Sequence, residues 1–420
     1  MAILEAVERE ASSARAAVPL LTDDAVAGAL ALAAERLSAQ HGPVLEANAA
    51  DLAAASGALD EGALDRLRLD RHQPLRVEAQ LRELAALPPL DREIAAWTLP
   101  NGLEVSERRI PIGVVGANFE ARPNVAVDIA GQLLKSLNGA VLRTGGAALR
   151  TVTALVDEVL RPALADAGLS PDTVGLVRSP DREGARALVS LPAVLPLVIL
   201  RGSGETTAAL ARHAAEHGVR TLAHAEGGGV LYLAASADPA VAETMIDASL
   251  DRLGVCNRLN LLLVDRASAA ALLPPVVARL ERLGIEARGT EQAREHAAMA
   301  PLDLRLGHEW ANDANHVATV SVAVADGPDE AARLANEETS ALAATVVAED
   351  ETDARRFLDR YRGTAAFWQA PTRFTDGFAL TGAPETGINV DWVPGPRGPV
   401  TYRDLWLRQY RVVGDGTQRR

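Results

Sequence analysis

Apolar residues recur at three and four spacing through the first hundred positions, which predicts helices from Asp23 to Leu37, Val44 to Ala55 and Pro74 to Leu87, with charge on their other faces. At Ile110 the texture changes to short apolar runs that end in Gly, Arg or Pro and are separated by helical stretches. That alternation predicts strands at Ile112–Ala117, Ala140–Arg143, Thr173–Val177 and Leu195–Leu200, with helices at Asn124–Leu137, Leu149–Ala167 and Gly204–His217 between and after them. Ser179 and Pro180, a capping hydroxyl followed by a first-turn proline, set up a further helix start. The pattern is that of a parallel sheet with crossover helices. Right-handed crossovers would put every strand's carboxyl end on one edge, where ligands bind, and that edge gathers Arg143–Gly146 and Arg201–Gly204.

A second alternating region follows Cys256, with strands at Leu259–Val264 and His316–Ala325 and helices at Ser268–Leu283 and Pro328–Glu337. Beyond Tyr361 Pro and Gly become dense, and an amphipathic tail from Val400 to Val413 carries Tyr and Trp. No internal repeat or low-complexity linker interrupts the chain. The fold class is therefore α/β, and 420 residues are enough for two domains of ordinary size.

Composition narrows the function classes. A formal charge of −14 and a single lysine, Lys135, argue against a nucleic-acid partner, because backbone phosphate is held by clustered basic residues. One cysteine cannot make an internal disulfide, and no charged-then-apolar leader or membrane-length apolar run is present, so a cytoplasmic location away from membranes is expected.

Few residues are suited to chemistry. Cys256, in Leu253-Gly254-Val255-Cys256-Asn257, reads either as a small buried hydrophobe or as a thiolate nucleophile on a turn whose backbone N–H groups face an oxyanion. Arg143-Thr144-Gly145-Gly146 and Arg201-Gly202-Ser203-Gly204 are candidates for a dinucleotide, since glycine lets backbone approach a pyrophosphate, or are ordinary strand-to-helix turns. His224 and Glu226 sit at the passage between the two regions, as acid and base or as a solvated hinge. His308, Glu309, Asp313 and His316 lack the tight spacing of a zinc motif, and no metal is expected.

Nearly the whole chain resembles the gamma-glutamyl phosphate reductases, also called glutamate-5-semialdehyde dehydrogenases, of the aldehyde dehydrogenase superfamily. The resemblance is carried by Glu46-Ala47-Asn48-Ala49-Ala50-Asp51-Leu52, Leu64-Asp65-Arg66-Leu67, Trp97 to Leu103, Glu120-Ala121-Arg122-Pro123-Asn124-Val125, Leu134-Lys135-Ser136, Ser179 to Arg182, Cys256-Asn257, Thr372 to Gly377 and Arg397-Gly398-Pro399. It implies an aldehyde dehydrogenase-like fold, two Rossmann-like three-layer α/β/α domains with a small oligomerisation element. Residues 1–230 and about 364–396 would form the cofactor domain, 231–363 the catalytic domain, and about 101–110 with 397–420 the oligomerisation element of a homodimer or homotetramer.

The implied reaction is NADPH-dependent reduction of L-glutamyl 5-phosphate to L-glutamate 5-semialdehyde in proline biosynthesis, through a thioester on Cys256. The resemblance assigns catalysis to Cys256, Asn257 and Asn124, substrate binding to Glu120, Arg122, Arg373 and Thr375, and cofactor binding to Arg143, Gly145, Gly146, Arg201, Gly202, Ser203 and Gly204. NADP(H) is the expected cofactor with NAD(H) as the other choice, and functional coupling to a glutamate kinase follows from the chemistry of the substrate. The chain departs from the family pattern at Ala147, where a lysine is usual, at Gly229-Val230, at Ala341-Leu342, at Asp251-Arg252-Leu253 before the cysteine, and at Gln369 to Thr372. Two other readings follow from these departures: a paralogue handling another acyl phosphate or aldehyde, and a silent regulatory relative.

Overall fold

The computed structural model describes residues 2–39, 41–59, 61–69, 73–120, 122–202, 204–224, 227–253, 255–302, 318–392 and 395–418. Five helices open the chain: Ala2–Ala17, Asp23–Ala39, His41–Ala55, Glu61–Leu67 and Gln73–Ala86. Asn48 and Asp51, read above only as part of a family motif, are buried clamps. The Asn48 amide donates to the Leu67 carbonyl and accepts from the Leu69 N–H, and the Asp51 carboxylate accepts from the Thr151 N–H and hydroxyl.

The helical texture stops short of residue 100. Glu93–Thr98 (β1) and Glu104–Pro111 (β2) form an antiparallel hairpin that the periodicity did not predict. The reason is physical: all six β1 residues are exposed, so no buried face imposes a period of two.

The first parallel sheet consists of β3 (Val114–Phe119), β4 (Gly139–Thr144), β5 (Val174–Leu176), β6 (Leu197–Arg201) and β7 (Arg220–His224), in the order β5-β4-β3-β6-β7. Alternate residues supply its two faces. Val115, Ala117 and Phe119 join one core with the amino-terminal helices, while Val114, Val198 and Leu200 join the core on the opposite face. The chain runs outward from β3 through β4 to β5 and then returns to the other side of β3 as β6. The strand order reverses there, between β3 and β6, which is the crevice where doubly wound sheets bind ligands.

Seven parallel strands form the second sheet: β8 (Gly229–Leu233), β9 (Leu259–Asp265), β10 (Glu286–Gly289), β11 (Ala300–Pro301), β12 (Thr319–Ala325), β13 (Ala343–Val347) and β14 (Ala365–Trp368). Their spatial order is β11-β10-β12-β9-β8-β13-β14. Val320, Val322 and Val324 face one core and Ala323 and Ala325 the other, so the sheet has a bulky side and a small-residue side. Because β14 pairs with β13, Ala365–Trp368 belongs to this sheet, and a domain boundary at 364 falls one strand early. The strand is short and at an edge, which left no periodic signal ahead of the Pro and Gly.

The chain leaves the carboxyl end of β7 at His224 and enters the amino end of β8 at Gly229, so the functional edge of the first sheet meets the amino edge of the second. Beyond β14, Gly387–Asn389 (β15) pairs with Gly398–Val400 (β16), and Trp406–Val413 (β17) runs antiparallel to β2. The expected amphipathic tail is thus an outer strand of the three-stranded sheet β1-β2-β17. Val400, Tyr402 and Leu405 anchor it in the core between the first sheet and the amino-terminal helices.

Candidate active site

The crevice between β3 and β6 is assembled from the two loops that leave those strands. Glu120 follows β3 directly, and a Cβ on Gly202, just after β6, would lie 3.1 to 3.3 Å from the Glu120 carboxylate. A side chain at position 202 would press on the Glu120 carboxylate, so glycine suits the close approach of the two loops. Helix Val125–Lys135 starts at the crevice, and in its first turn the Asn124 amide donates to Asp128 at 3.2 Å.

Burial raises the Asp128 carboxyl to about 7; Glu385 adds to the rise, while Arg201 and the Asn124 hydrogen bond oppose it. Desolvation, and then Arg201, bring Arg122 down to about 10, which leaves it charged at neutral pH. Glu385 is pushed up by burial and by Asp376, and its carboxylate accepts the Gly377 N–H at 2.7 Å.

Cys256 stands in the loop before β9 and is half-buried. Its carbonyl accepts the Gly228 N–H at 2.6 Å, which ties the loop to the passage between the sheets. Burial pushes the thiol above its ordinary range; Arg122, Arg201 and a hydrogen bond from its own backbone N–H pull it down, and Glu385 pushes it up. Two guanidiniums therefore share one electrostatic neighbourhood with the only sulfhydryl. The arrangement is suited to a thiolate that meets an anionic substrate.

Asn257 is placed to hold this loop. Its amide donates to the carbonyls of Arg373 at 3.1 Å and Thr375 at 2.9 Å, and its side-chain oxygen accepts from Arg373. Thr372 donates to the Asn257 carbonyl at 2.7 Å, and Arg373 also pairs with Asp251 at 2.7 Å. The Arg373 guanidinium, expected on the substrate, is thus spent between Asp251 and Asn257, which span the cysteine loop. Thr375 is fully buried, and its hydroxyl has no hydrogen-bond partner among the described residues.

On the cofactor side, a Cβ at Gly145 would meet nothing within 4 Å, and one at Gly146 would touch Pro180 at 3.1 Å. Helix Gly204–Glu216 begins three positions after the end of β6, with its amino end and the positive end of its dipole at the same edge. Open backbone beside a reversal of strand order fits a nicotinamide dinucleotide. Arg143, however, is buried and committed: it donates to Asn118 at 3.0 Å and to the carbonyls of Pro180 and Asp181 at 3.2 and 2.9 Å. It braces the loop around Pro180 rather than presenting a free fork to phosphate. Ser203, Glu226 and the stretch from His308 to His316 lie outside the described residues.

The sequence reading missed Asp128 and Glu385. Asp128 had a signal, since it stands four residues after Asn124 on the same helix face. Glu385 had none, because it reaches the crevice through the pairing of β15 with β16. Concavity alone would also have misled. A groove of about 350 Å³ lies on the three-stranded sheet beside Trp97, Glu104 and Arg411, whereas a crevice bordering Arg201 has about 10 Å³. The converging titratable groups mark the site better than the groove does.

The aldehyde dehydrogenase family model matches residues 76–303, more than half the chain. A gamma-glutamyl phosphate reductase of Caulobacter sp. (strain K31) is 35% identical over 420 residues, 99% of this chain and 97% of that protein. A gamma-glutamyl phosphate reductase of Gluconobacter oxydans (strain 621H) is 35% identical over 399 residues, 93% of this chain and 90% of its own. The crystal structure of gamma-glutamyl phosphate reductase from Thermotoga maritima matches with a TM-score of 0.91 at 27% identity, covering 99% of this chain and all of that one. An acetylating aldehyde dehydrogenase from Geobacillus thermoglucosidasius, with a TM-score of 0.71 at 14% identity and coverage of 100% and 98%, shares the fold.

Proposed function

Because the chain belongs to the gamma-glutamyl phosphate reductases of the aldehyde dehydrogenase family, we propose that it reduces L-glutamyl 5-phosphate to L-glutamate 5-semialdehyde with NADPH, through a thioester on Cys256. It is an oxidoreductase of the aldehyde dehydrogenase type, and the family implies a nicotinamide cofactor. The observation that carries the covalent step is the lone thiol in the crevice with Arg122 and Arg201 in electrostatic reach.

The thiol must first lose its proton, and Glu385 and Asp128 are carboxyl groups of the same cluster with raised affinities for one. The sulfur then attacks the acyl carbon, a C–S bond forms, and the C–O bond to phosphate breaks with the electron pair leaving on phosphate. Arg122 and Arg201 offset the charge of the acyl phosphate and of the departing phosphate. The backbone N–H of Cys256 and the second N–H of the Asn124 amide are the donors for the tetrahedral oxyanion. A nicotinamide dinucleotide, its pyrophosphate approached by the backbone at Gly145, Gly146, Gly202 and Gly204, would supply the hydride for the acyl carbon; the C–S bond then breaks, which releases the semialdehyde and returns Cys256 as the thiolate. Asn257, Thr372 and Arg373 act by keeping the cysteine loop in place. No carboxylate is needed to activate water in this direction.

The choice of NADPH over NADH rests on the family alone, since Ala147 offers no charge and Arg143 is committed to protein carbonyls. A second reading, another acyl phosphate, is favoured by the engagement of Arg373 with Asp251, which removes one cation from the substrate pocket. The acyl phosphate is reactive, so supply by a functionally coupled glutamate kinase in the cytoplasm fits the reading. No helix among the described residues is long and apolar enough to cross a membrane. Exposed Trp97, Tyr410 and Val412 on the three-stranded sheet fit a second copy of the chain, in a homodimer or homotetramer.

The test is phosphate-dependent reduction of NADP+ and NAD+ by glutamate 5-semialdehyde, comparing the wild type with Cys256→Ala. Turnover by the wild type alone is expected, with the larger kcat/KM on NADP+. Absence of turnover with either cofactor overturns the substrate assignment, and turnover surviving in Cys256→Ala overturns the thioester.

A further inference from the structure

The stretch from His308 to His316 lacks the tight spacing of a zinc motif. A tighter grouping lies elsewhere, at the end of helix Gly204–Glu216, in His213-Ala214-Ala215-Glu216-His217. One ring nitrogen from each histidine and one Glu216 carboxylate oxygen lie within 4.8 Å of one another. His213 Nδ1 is 3.7 Å from Glu216 Oε2, and the two imidazole centroids are 4.3 Å apart. Spacings of three and four residues put all three side chains on one face of the last turn.

Hydrogen bonds around the cluster settle which nitrogens are free. The Ser190 hydroxyl donates to the Arg186 carbonyl at 2.7 Å, so its oxygen accepts from His213 Nε2 at 3.1 Å. That leaves the Nδ1 lone pair of His213 turned to Glu216. His217 Nδ1 lies 2.9 Å from the His213 carbonyl, which can only accept, so His217 carries its hydrogen there and Nε2 is free. Each imidazole is thus oriented by a bond to its other nitrogen, as metal-binding histidines are. The turn is fixed as well. Gly218 has φ +77, and the Val219 N–H returns to the Ala214 carbonyl at 2.9 Å, which closes the helix end around His217. A cation placed here also meets the negative end of the helix dipole.

From this geometry we infer that His213, Glu216 and His217 form a surface site for a borderline divalent transition metal of the zinc class, with open positions for water. Two imidazoles and one carboxylate are the donor set such an ion takes, and three protein ligands leave the remainder of its coordination to solvent. The ion cross-links the last turn of the helix whose first turn stands at the β6 end of the crevice, so its binding steadies that helix. Reduction at Cys256 does not require it.

Titration of Zn2+ into the full-length, tag-free chain by calorimetry tests the site. The wild type binds one more equivalent than His217→Ala or His213→Ala, and Ser190→Ala keeps the stoichiometry with about tenfold weaker affinity, as loss of an orienting partner does. Zinc taken up by Cys256 persists in these variants and cancels in the comparison. Zn2+ also raises the melting temperature of the wild type and leaves that of His217→Ala unchanged. Since His217 is exposed, its replacement leaves the fold intact. Equal stoichiometry and affinity in the wild type and His217→Ala overturns the inference.

Discussion

Replacing Asp128 with Asn isolates the electrostatic cost built into the crevice. The carboxyl goes from an ordinary value of 3.8 to about 7, a rise of roughly three units, and each unit corresponds to about 1.36 kcal/mol, so the cost of ionising it in the fold reaches about 4 kcal/mol. The sign follows from linkage. The unfolded chain releases this proton near pH 4, while the native state keeps it until about pH 7, so rising pH between those values stabilises the unfolded chain and destabilises the wild type. Asparagine has the same shape, still accepts from the Asn124 amide, and carries no ionisation. The stability of Asp128→Asn relative to the wild type should therefore increase from pH 4.5 to pH 8, approaching 4 kcal/mol in the variant's favour. The side chain is only half-buried, and water reaching it lowers that figure. Urea unfolding at pH 4.5, 6 and 8, with equal m values for the two proteins, gives the difference directly. A gap that changes by less than about 1 kcal/mol across this window refutes the assignment of Asp128 as a carboxyl kept protonated by burial. A gap that moves the other way would mean that Arg201 outweighs desolvation.

Other consequences follow from the same site. Alkylation of Cys256 by iodoacetamide should be slow at pH 7 and still rising above pH 9, because burial raises the thiol, and Arg122→Met should slow it severalfold at pH 8; a plateau below pH 8 contradicts this. Asn257→Ala removes the donor to one buried and one partly buried carbonyl and should lower stability by about 2 kcal/mol and kcat by more than it lowers the alkylation rate, as chemical denaturation and single-turnover assays can read. In Gly229→Ala the new Cβ would stand 2.6 to 2.8 Å from the Thr372 side chain, which cannot rotate away without losing its bond to Asn257; a loss of about 2 kcal/mol is expected in denaturation, and an unchanged midpoint would show that the loop yields freely. Trp97→Ala with Tyr410→Ala, a pair in edge-to-face contact on the exposed sheet, should shift the chain to monomer in size-exclusion chromatography.

How far the fold was legible depended on which strands have a buried face. β3, β4 and β9 are buried throughout and stand out as apolar runs, whereas β1 is exposed along its whole length and β17 along nearly all of it, so no buried face marks either as a strand. The same distinction governs the site. Cys256, Arg122 and Arg201 stood at strand ends or in loops where chemistry is expected, and the crevice brings them into one electrostatic neighbourhood. Arg143 is expected on the cofactor and Arg373 on the substrate, yet the fold uses both internally: one braces Pro180 and Asp181, the other links Asp251 to Asn257. Nothing local separates an arginine that meets substrate from one that holds the loop beside it, because the partners that decide the matter arrive from 25 to 122 residues away. The nucleophile's surroundings are built the same way. Sequence identifies the sulfur, but its proton affinity depends on Glu385, Arg122 and Arg201, brought together by three separate segments, and a variant of any one of them acts on the thiol without touching the cysteine loop.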